Sequence, residues 1–126
     1  ICGLNDMRDI HRKATEGDMR AQLALDMFVY RIKKYIGNYS AILGHLDGLV
    51  FTAGIGEHDI EIRERCCEKL ERLGIVLDPK KNKQEHEGPL QINKPESSVA
   101  LFVIPTNEEL EIAQQTKELL ESKGFK

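Results

Sequence analysis

LDGLVFTAGIGEHDI, residues Leu46–Ile60, joins an almost continuous apolar run to a charged segment through a Gly-x-Gly sequence. The apolar run Leu46–Ala53 predicts a strand that is buried on both faces, as in a parallel sheet. The following segment, Asp59–Leu73, predicts an amphipathic helix that ends with Gly74 in the C′ position. A strand that leads through Gly-x-Gly into a helix is typical of a backbone that approaches a nucleotide.

Strand and helix patterns alternate along the rest of the chain. Val99–Ile104 predicts a second central strand, and Ile75–Leu77 and Leu90–Asn93 predict short outer strands. Helices are predicted at Asp9–Thr15, Asp18–Gly44 and Asn107–Ser122, and the polar stretch Asp78–Gly88 is predicted to be a mobile loop. The alternation indicates an α/β layer fold with a parallel core pair of strands.

Apolar residues define the predicted core. In the long helix they recur mostly at steps of three and four, which predicts a buried stripe of Leu23, Met27, Tyr30, Ile32, Ile36, Tyr39 and Leu43. The neighbouring cysteines Cys66 and Cys67 have no metal-ligand spacing to any histidine, so we expect them to be small core residues in a reducing cytosol.

Composition restricts the classes of function. The 126 residues carry a net charge of −3 with interspersed signs, which gives no basis for binding nucleic acid or an anionic membrane. No apolar run is long enough to cross a bilayer. The chain begins at Ile1 and has no secretory signal pattern, so we expect it to be a piece of a longer polypeptide.

The first strand-to-helix junction spans Gly54–His58 and lies where ligands bind in open parallel sheets. The dinucleotide fingerprint fails there, because Asp59 occupies the third glycine position. Acidic side chains crowd this turn and would repel a polyphosphate, so we expect the base and ribose of a nucleotide to contact it. Alternatively, the glycines only supply a tight turn with positive φ. We expect an added side chain to strain the turn at Gly54 and to exclude the nucleoside at Gly56.

The second junction contains Thr106-x-x-Glu109, which is the pattern of a capping box with Thr106 as the N-cap. Glu108 then has no structural task and is a candidate ligand for magnesium, although exposed glutamates are common in a first helical turn. Near the start, Asn5 or Asp6 is predicted to cap a helix, and the Arg8 guanidinium is suited to stacking on a purine. No partner is predicted for the remaining histidines, His11, His45 and His86.

Five stretches in order, NDMRDI, LALDMFVYRIKKYIGNY, VFTAGIGE, LGIVLD and VIPTNEELEIA, closely resemble the C-terminal part of the acetate kinase family. The resemblance extends over essentially all 126 residues. It implies the ribonuclease-H-like α/β fold of the acetate and sugar kinase, heat-shock protein and actin superfamily, in which two lobes close on ATP. Residues 1–126 would form part of the C-terminal nucleotide-binding lobe of a longer, two-lobed kinase.

The resemblance also implies roles for individual residues. Asp6, Met7 and Arg8 would contact the nucleotide, with Arg8 against adenine, and the adenosine-binding turn would consist of Gly54, Ile55, Gly56, Glu57 and His58. Glu108 matches the glutamate that binds Mg²⁺ or Mn²⁺. In two departures, His58 stands where the family usually has asparagine, and ICGLN before Asp6 is one residue short.

The activity implied by the resemblance is phosphoryl transfer between ATP and acetate, giving acetyl phosphate and ADP, in a cytoplasmic homodimer. The family's catalytic aspartate, histidine and arginines precede the matching region, so we expect these 126 residues alone to be inactive. Propionate or butyrate kinase, and a nucleotide-binding module without kinase activity, remain alternatives, because acyl-chain length is determined outside this segment.

Overall fold

The computed structural model describes residues 1–122 and residue 124, and they form an α/β arrangement. Its helices are α1 (Met7–Thr15), α2 (Met19–Leu43), α3 (Ala53–His58), α4 (Ile60–Cys67), α5 (Pro79–Asn82) and α6 (Glu108–Ser122). Its strands are β1 (Gly48–Phe51), β2 (Leu90–Gln91) and β3 (Ala100–Val103). A short 3₁₀ turn, Glu71–Leu73, follows α4.

The three strands form one sheet in the order β1-β3-β2. β1 pairs in parallel with β3, from Gly48 opposite Ala100 to Phe51 opposite Val103, and β2 pairs with β3 in antiparallel orientation. The predicted parallel core pair and the edge strand near Leu90 are therefore confirmed. The predicted strand Ile75–Leu77 is reduced to a single bridge between Leu77 and Asn93.

The core lies between this sheet and helices α2 and α4. Its fully buried members come from several elements and include Leu25, Ile62, Cys66, Ile75, Ile92, Val99, Leu101 and Val103. Both neighbouring cysteines are buried as predicted, and burial raises the pKa of the Cys66 thiol to about 11 and that of Cys67 to about 12. These thiols therefore stay protonated and serve packing.

Helix α2 shows that the predicted buried stripe was mostly wrong. The residues that α2 buries are Ala21, Leu25, Val29 and Ile36. Five of the predicted residues are exposed instead, namely Leu23, Met27, Tyr30, Tyr39 and Leu43. Apolar residues lie on more than one face of this helix, so a period of 3.6 does not determine which face packs on the core.

Strand β1 is covered on one face only in this chain, contrary to the prediction of burial on both faces. Phe51 is buried, whereas Val50, which points to the other face, is 48% exposed. Helix α6, which follows β3, contains no buried residue.

The segment after β1 is also divided differently from the prediction. Helix α4 ends at Cys67, because Lys69 adopts a positive φ of 60°, and Gly74 ends the following turn in the left-handed conformation predicted for it. The predicted loop Asp78–Gly88 contains α5, which Asp78 caps by accepting hydrogen bonds from Lys80 N and Lys81 N. Across residues 1–122 and 124, no helix has the length and apolar character needed to cross a membrane.

Candidate functional site

An open cleft of about 1020 Å³ lies between the start of α1 and the corner where α3 meets α4. Six residues predicted to contact a nucleotide line it: Asp6, Met7, Arg8, Gly54, Ile55 and His58. The fold thus brings together two segments that are more than forty residues apart in sequence. Two other predicted residues, Gly56 and Glu57, lie in α3 but do not line the cleft.

Asp6 begins α1 as its N-cap, as predicted. Its Oδ1 accepts a hydrogen bond from Arg8 N at 2.9 Å, and its carboxylate also accepts from Arg8 Nε at 3.1 Å and Arg8 Nη2 at 2.7 Å. The Arg8 guanidinium lowers the pKa of Asp6 to about 2. The Arg8 side chain is 91% exposed, so its planar face remains open to a ligand at the cleft edge.

The Gly-x-Gly sequence forms the short helix α3 and not the predicted tight turn. Neither glycine has a positive φ, and the left-handed residue is Ala53, with φ of 57°. A Cβ added at Gly56 would lie 3.1 Å from the Phe51 carbonyl carbon, whereas one added at Gly54 would meet no atom within 4 Å. The expected assignment of the two glycines was therefore wrong. Gly56 packs closely on the end of β1, and Gly54 faces open space in the cleft wall.

Glu57 connects the two strand-to-helix junctions. Its Oε1 accepts hydrogen bonds from Thr106 N at 2.8 Å and from Thr106 Oγ1 at 3.0 Å. These bonds, first of all the one from the Thr106 backbone, lower the pKa of the Glu57 carboxyl group. Glu57 therefore holds the carboxyl ends of β1 and β3 together.

This contact replaces the predicted capping box, which was wrong because the Thr106 amide donates to Glu57. The N-cap of α6 is Asn107, whose Oδ1 accepts a hydrogen bond from Leu110 N at 3.1 Å.

His11, for which no partner was predicted, connects the two walls of the cleft. Its Nε2 lies 2.8 Å from Asp59 Oδ2, and its Nδ1 lies 3.3 Å from Glu61 Oε2. Asp59 also caps α4, since its Oδ1 accepts a hydrogen bond from Ile62 N. His11 and Asp59 are 48 positions apart, and no local pattern indicates such a pair.

Glu108 is the first residue of α6, and its exposed side chain lies just beyond the carboxyl end of β3. Within the described part of the chain, no group of three or more His, Cys, Asp or Glu side chains is arranged to hold a metal ion. A single free carboxylate nevertheless fits Mg²⁺, which commonly takes one or two protein carboxylates and completes its shell with water and phosphate. The assignment of Glu108 as a metal ligand stays a prediction.

Comparisons with known proteins give matches over most of this chain. The Acetokinase family matches residues 1–114. The chain belongs to the acetokinase family. Among curated members it is 58% identical over 120 residues to an acetate kinase of Lawsonia intracellularis and 52% identical over 124 residues to one of Syntrophobacter fumaroxidans. These matches cover 95% and 98% of this chain but 30% of each relative, so the chain spans about a third of their length.

Solved structures of acetokinase relatives have the same fold. An acetate kinase of Porphyromonas gingivalis matches 95% of this chain and 30% of its own, with a TM-score of 0.83 at 44% identity. A propionate kinase of Francisella tularensis matches 90% of this chain and 29% of its own, with a TM-score of 0.79 at 43% identity. The predicted fold class, that of the acetate and sugar kinase, heat-shock protein and actin superfamily, is thereby confirmed.

Proposed function

We propose that this chain is the nucleotide-binding part of the C-terminal lobe of a longer, two-lobed acetate kinase, which transfers phosphoryl between ATP and acetate to give acetyl phosphate and ADP. The observation that supports the proposal is the cleft between α1 and the α3–α4 corner. It gathers Arg8 and the α3 backbone, the two features expected to contact a nucleoside, from distant parts of the sequence.

In this proposal, the Arg8 guanidinium stacks on adenine while the Asp6 carboxylate holds it in place by accepting two hydrogen bonds, from Arg8 Nε and Nη2. Gly54 allows the nucleoside to approach α3, because a Cβ there would project into open space. Ile55 supplies apolar contact and His58 a polar group at the same wall. Asp59 and Glu61 on that wall disfavour phosphate, so the phosphate chain extends away from it.

The metal proposed for this enzyme is Mg²⁺ or Mn²⁺, and Glu108 would hold it directly or through water. Such an ion neutralises phosphate charge during transfer. Glu57 is not available as a second ligand through Oε1, because that oxygen accepts two hydrogen bonds from Thr106. Glu57 would instead fix the carboxyl end of β1 relative to that of β3. It would thereby fix the position of α3, which forms part of the cleft wall, relative to Glu108.

The remaining catalytic groups belong to other parts of the full-length enzyme, which we propose to be a cytoplasmic homodimer. Phosphoryl transfer requires positioned groups from both lobes, so the 126-residue chain alone should form no acetyl phosphate above background. A propionate kinase is the second candidate, because a propionate kinase structure matches at 43% identity, close to the 44% of an acetate kinase.

A kinetic comparison of full-length variants tests the proposal. Arg8→Gln should raise the Michaelis constant for ATP and leave that for acetate nearly unchanged, because the guanidinium contacts only the nucleoside. Arg12→Gln is the matched control: Arg12 is also on α1 and also ion-paired, with Asp9 and Glu16, but it does not line the cleft. Equal effects of the two substitutions on ATP would contradict the assignment of the cleft.

Substrate comparison separates the two candidate activities. The full-length enzyme should have its highest kcat/KM with acetate among acetate, propionate and butyrate. A higher value with propionate would favour the second candidate, while the nucleotide assignment would stand.

A further inference from the structure

Arg63 is a buried arginine that the proposed nucleotide contacts do not include. The residue is 2% exposed and occupies the middle of α4. Its Nη1 donates hydrogen bonds to Gly56 O at 3.0 Å and Glu57 O at 2.8 Å, the carbonyls at the C-terminal end of α3. The guanidinium thus satisfies acceptors that a six-residue helix leaves free at its end.

The other side of the guanidinium contacts Asn82, the last residue of α5. Arg63 Nε donates to Asn82 Oδ1 at 2.7 Å, and Arg63 Nη2 donates to Asn82 O at 2.8 Å. Asn82 is itself fully buried, and its Nδ2 donates to Ile60 O, at the start of α4, at 3.1 Å. Every polar atom of these two side chains therefore has a partner, and the partners lie on α3, α4 and α5.

The composition of this network argues for a role beyond packing. A buried guanidinium loses its hydration, and an apolar side chain of similar volume would avoid that cost but would leave the carbonyls of Gly56 and Glu57 without this donor. Every hydrogen-bond acceptor of Arg63 is a carbonyl or amide oxygen, and two of them belong to the segment that carries Gly54, Ile55 and His58. What the network fixes is the position of α3 relative to α4.

We propose that Arg63 and Asn82 are positioning residues for nucleotide binding, which hold α3 at the distance from α1 that the nucleoside requires. The proposal rests on the proposed function of the cleft. The proposal also gives residues Asp78–Asn82 a role in nucleotide binding. This segment, which the sequence predicted to be part of a loop, would hold α3 in place through Arg63.

The test compares two buried asparagines in the full-length protein. Asn82→Ala removes the acceptor of Arg63 Nε and the donor to Ile60 O. Asn93→Ala is the matched control: Asn93 is also buried and its side-chain Oδ1 accepts from Leu101 N and Gln91 Nε2, beside β2 and β3 and not at α3, while its bond to Lys81 of α5 is made by the backbone carbonyl and is kept. Dissociation constants for ADP are measured by calorimetry, well below the melting temperature of every variant.

Asn82→Ala should weaken ADP binding about tenfold, on the order of the effect of one buried hydrogen bond, whereas Asn93→Ala should change it less than about twofold. Asn82→Asp should restore part of the affinity, because its carboxylate keeps the side-chain acceptor for Arg63 Nε but cannot donate to Ile60 O. In kinetics the Michaelis constant for ATP should rise and that for acetate should not. If Asn82→Ala does not fold, Arg63→Lys, which keeps the charge and loses most of the hydrogen bonds, is expected to show the same pattern.

ADP affinity unchanged in Asn82→Ala, or weakened equally in Asn93→Ala, would overturn the positioning role. These results would leave the proposed function intact. Failure of the wild-type protein to bind ADP would instead refute the proposed function itself, so the two failures are distinguishable.

Discussion

Glu57 and Thr106, which are 49 positions apart, are joined by two hydrogen bonds to one carboxylate oxygen. Glu57 lies in the helix after β1, and Thr106 lies between β3 and α6. Each is in a segment that leaves the carboxyl end of one of the two parallel strands. The contact therefore links the wall of the nucleoside cleft to the segment that carries Glu108.

A double-mutant cycle should detect this link. Thr106→Val removes the hydroxyl donor, and Glu57→Ala removes the acceptor of both bonds. Because both substitutions delete the hydrogen bond from Thr106 Oγ1 to Glu57, the double variant should lose less stability than the sum of the single variants. Denaturant unfolding of the four proteins measures this, and strict additivity would show that the hydroxyl hydrogen bond contributes nothing to stability.

Helix α6 should depend on Asn107 for its start and not on Glu109. Asn107→Ala removes the side chain that accepts from Leu110 N and should cost the helix about 1 kcal/mol. Glu109→Ala should have little effect, because the capping box is not formed. Hydrogen exchange at the first amides of α6, in the full-length protein, gives the comparison. Faster exchange in the Glu109 variant than in the Asn107 variant would show that the capping box, and not Asn107, stabilises the start of α6.

Alanine at the two glycines of α3 should have opposite effects. Gly56→Ala should lower the melting temperature, because its Cβ would lie 3.1 Å from the Phe51 backbone. Gly54→Ala should leave stability unchanged or raise it by about 0.5–1 kcal/mol through helix propensity. Its Cβ would nevertheless occupy the cleft wall and raise the Michaelis constant for ATP. Thermal melts without ligand and ATP kinetics on the full-length variants separate the two causes. A Michaelis constant for ATP equal to that of the wild type in Gly54→Ala would contradict the proposal that the nucleoside contacts α3.

Glu108→Ala should impair the use of magnesium while the fold stays intact. The side chain is exposed at the start of α6, so its removal leaves no buried partner unpaired. The free Mg²⁺ concentration that gives half-maximal activity should rise in the full-length variant. Glu109→Ala is the neighbouring control and should respond to Mg²⁺ as the wild type does; the reverse result would show that the two glutamates were assigned the wrong way round.

Lowering the pH should remove the stabilisation that Asp6 gives to the start of α1, and it should do so over a defined pH range. Because Arg8 lowers the Asp6 pKa from 3.8 to about 2, the native state binds this proton more weakly than the unfolded chain does. The stabilisation from Asp6 is therefore complete above pH 3.8 and is lost as the pH falls toward 2. In Arg8→Gln the Asp6 carboxyl should titrate closer to its usual pKa. Carboxyl ¹³C shifts of labelled aspartate give both values, and equal values in the two proteins would rule out the ion pair.

Local features were determined by the sequence itself. The apolar runs around Val50 and Leu101 predicted the parallel pair, Asp6 was recognisable as a helix cap, and Gly74 adopts the left-handed conformation expected of a C′ glycine. The family motifs also identified the segments that line the cleft. These predictions succeed because caps, glycine conformations and strand patterns depend on residues only a few positions apart.

The tertiary structure alone decided which apolar face of α2 is buried and which side chains pair over long separations. Arg63 with Asn82 and His11 with Asp59 are contacts of 19 and 48 positions, and neither has a pattern in sequence. The same holds for Gly54 and Gly56, which look equivalent in the motif but differ because only one of them lies against Phe51. The free space around a residue and the partner of a charged side chain both depend on how distant elements pack against each other. This packing is determined by the burial of the core as a whole.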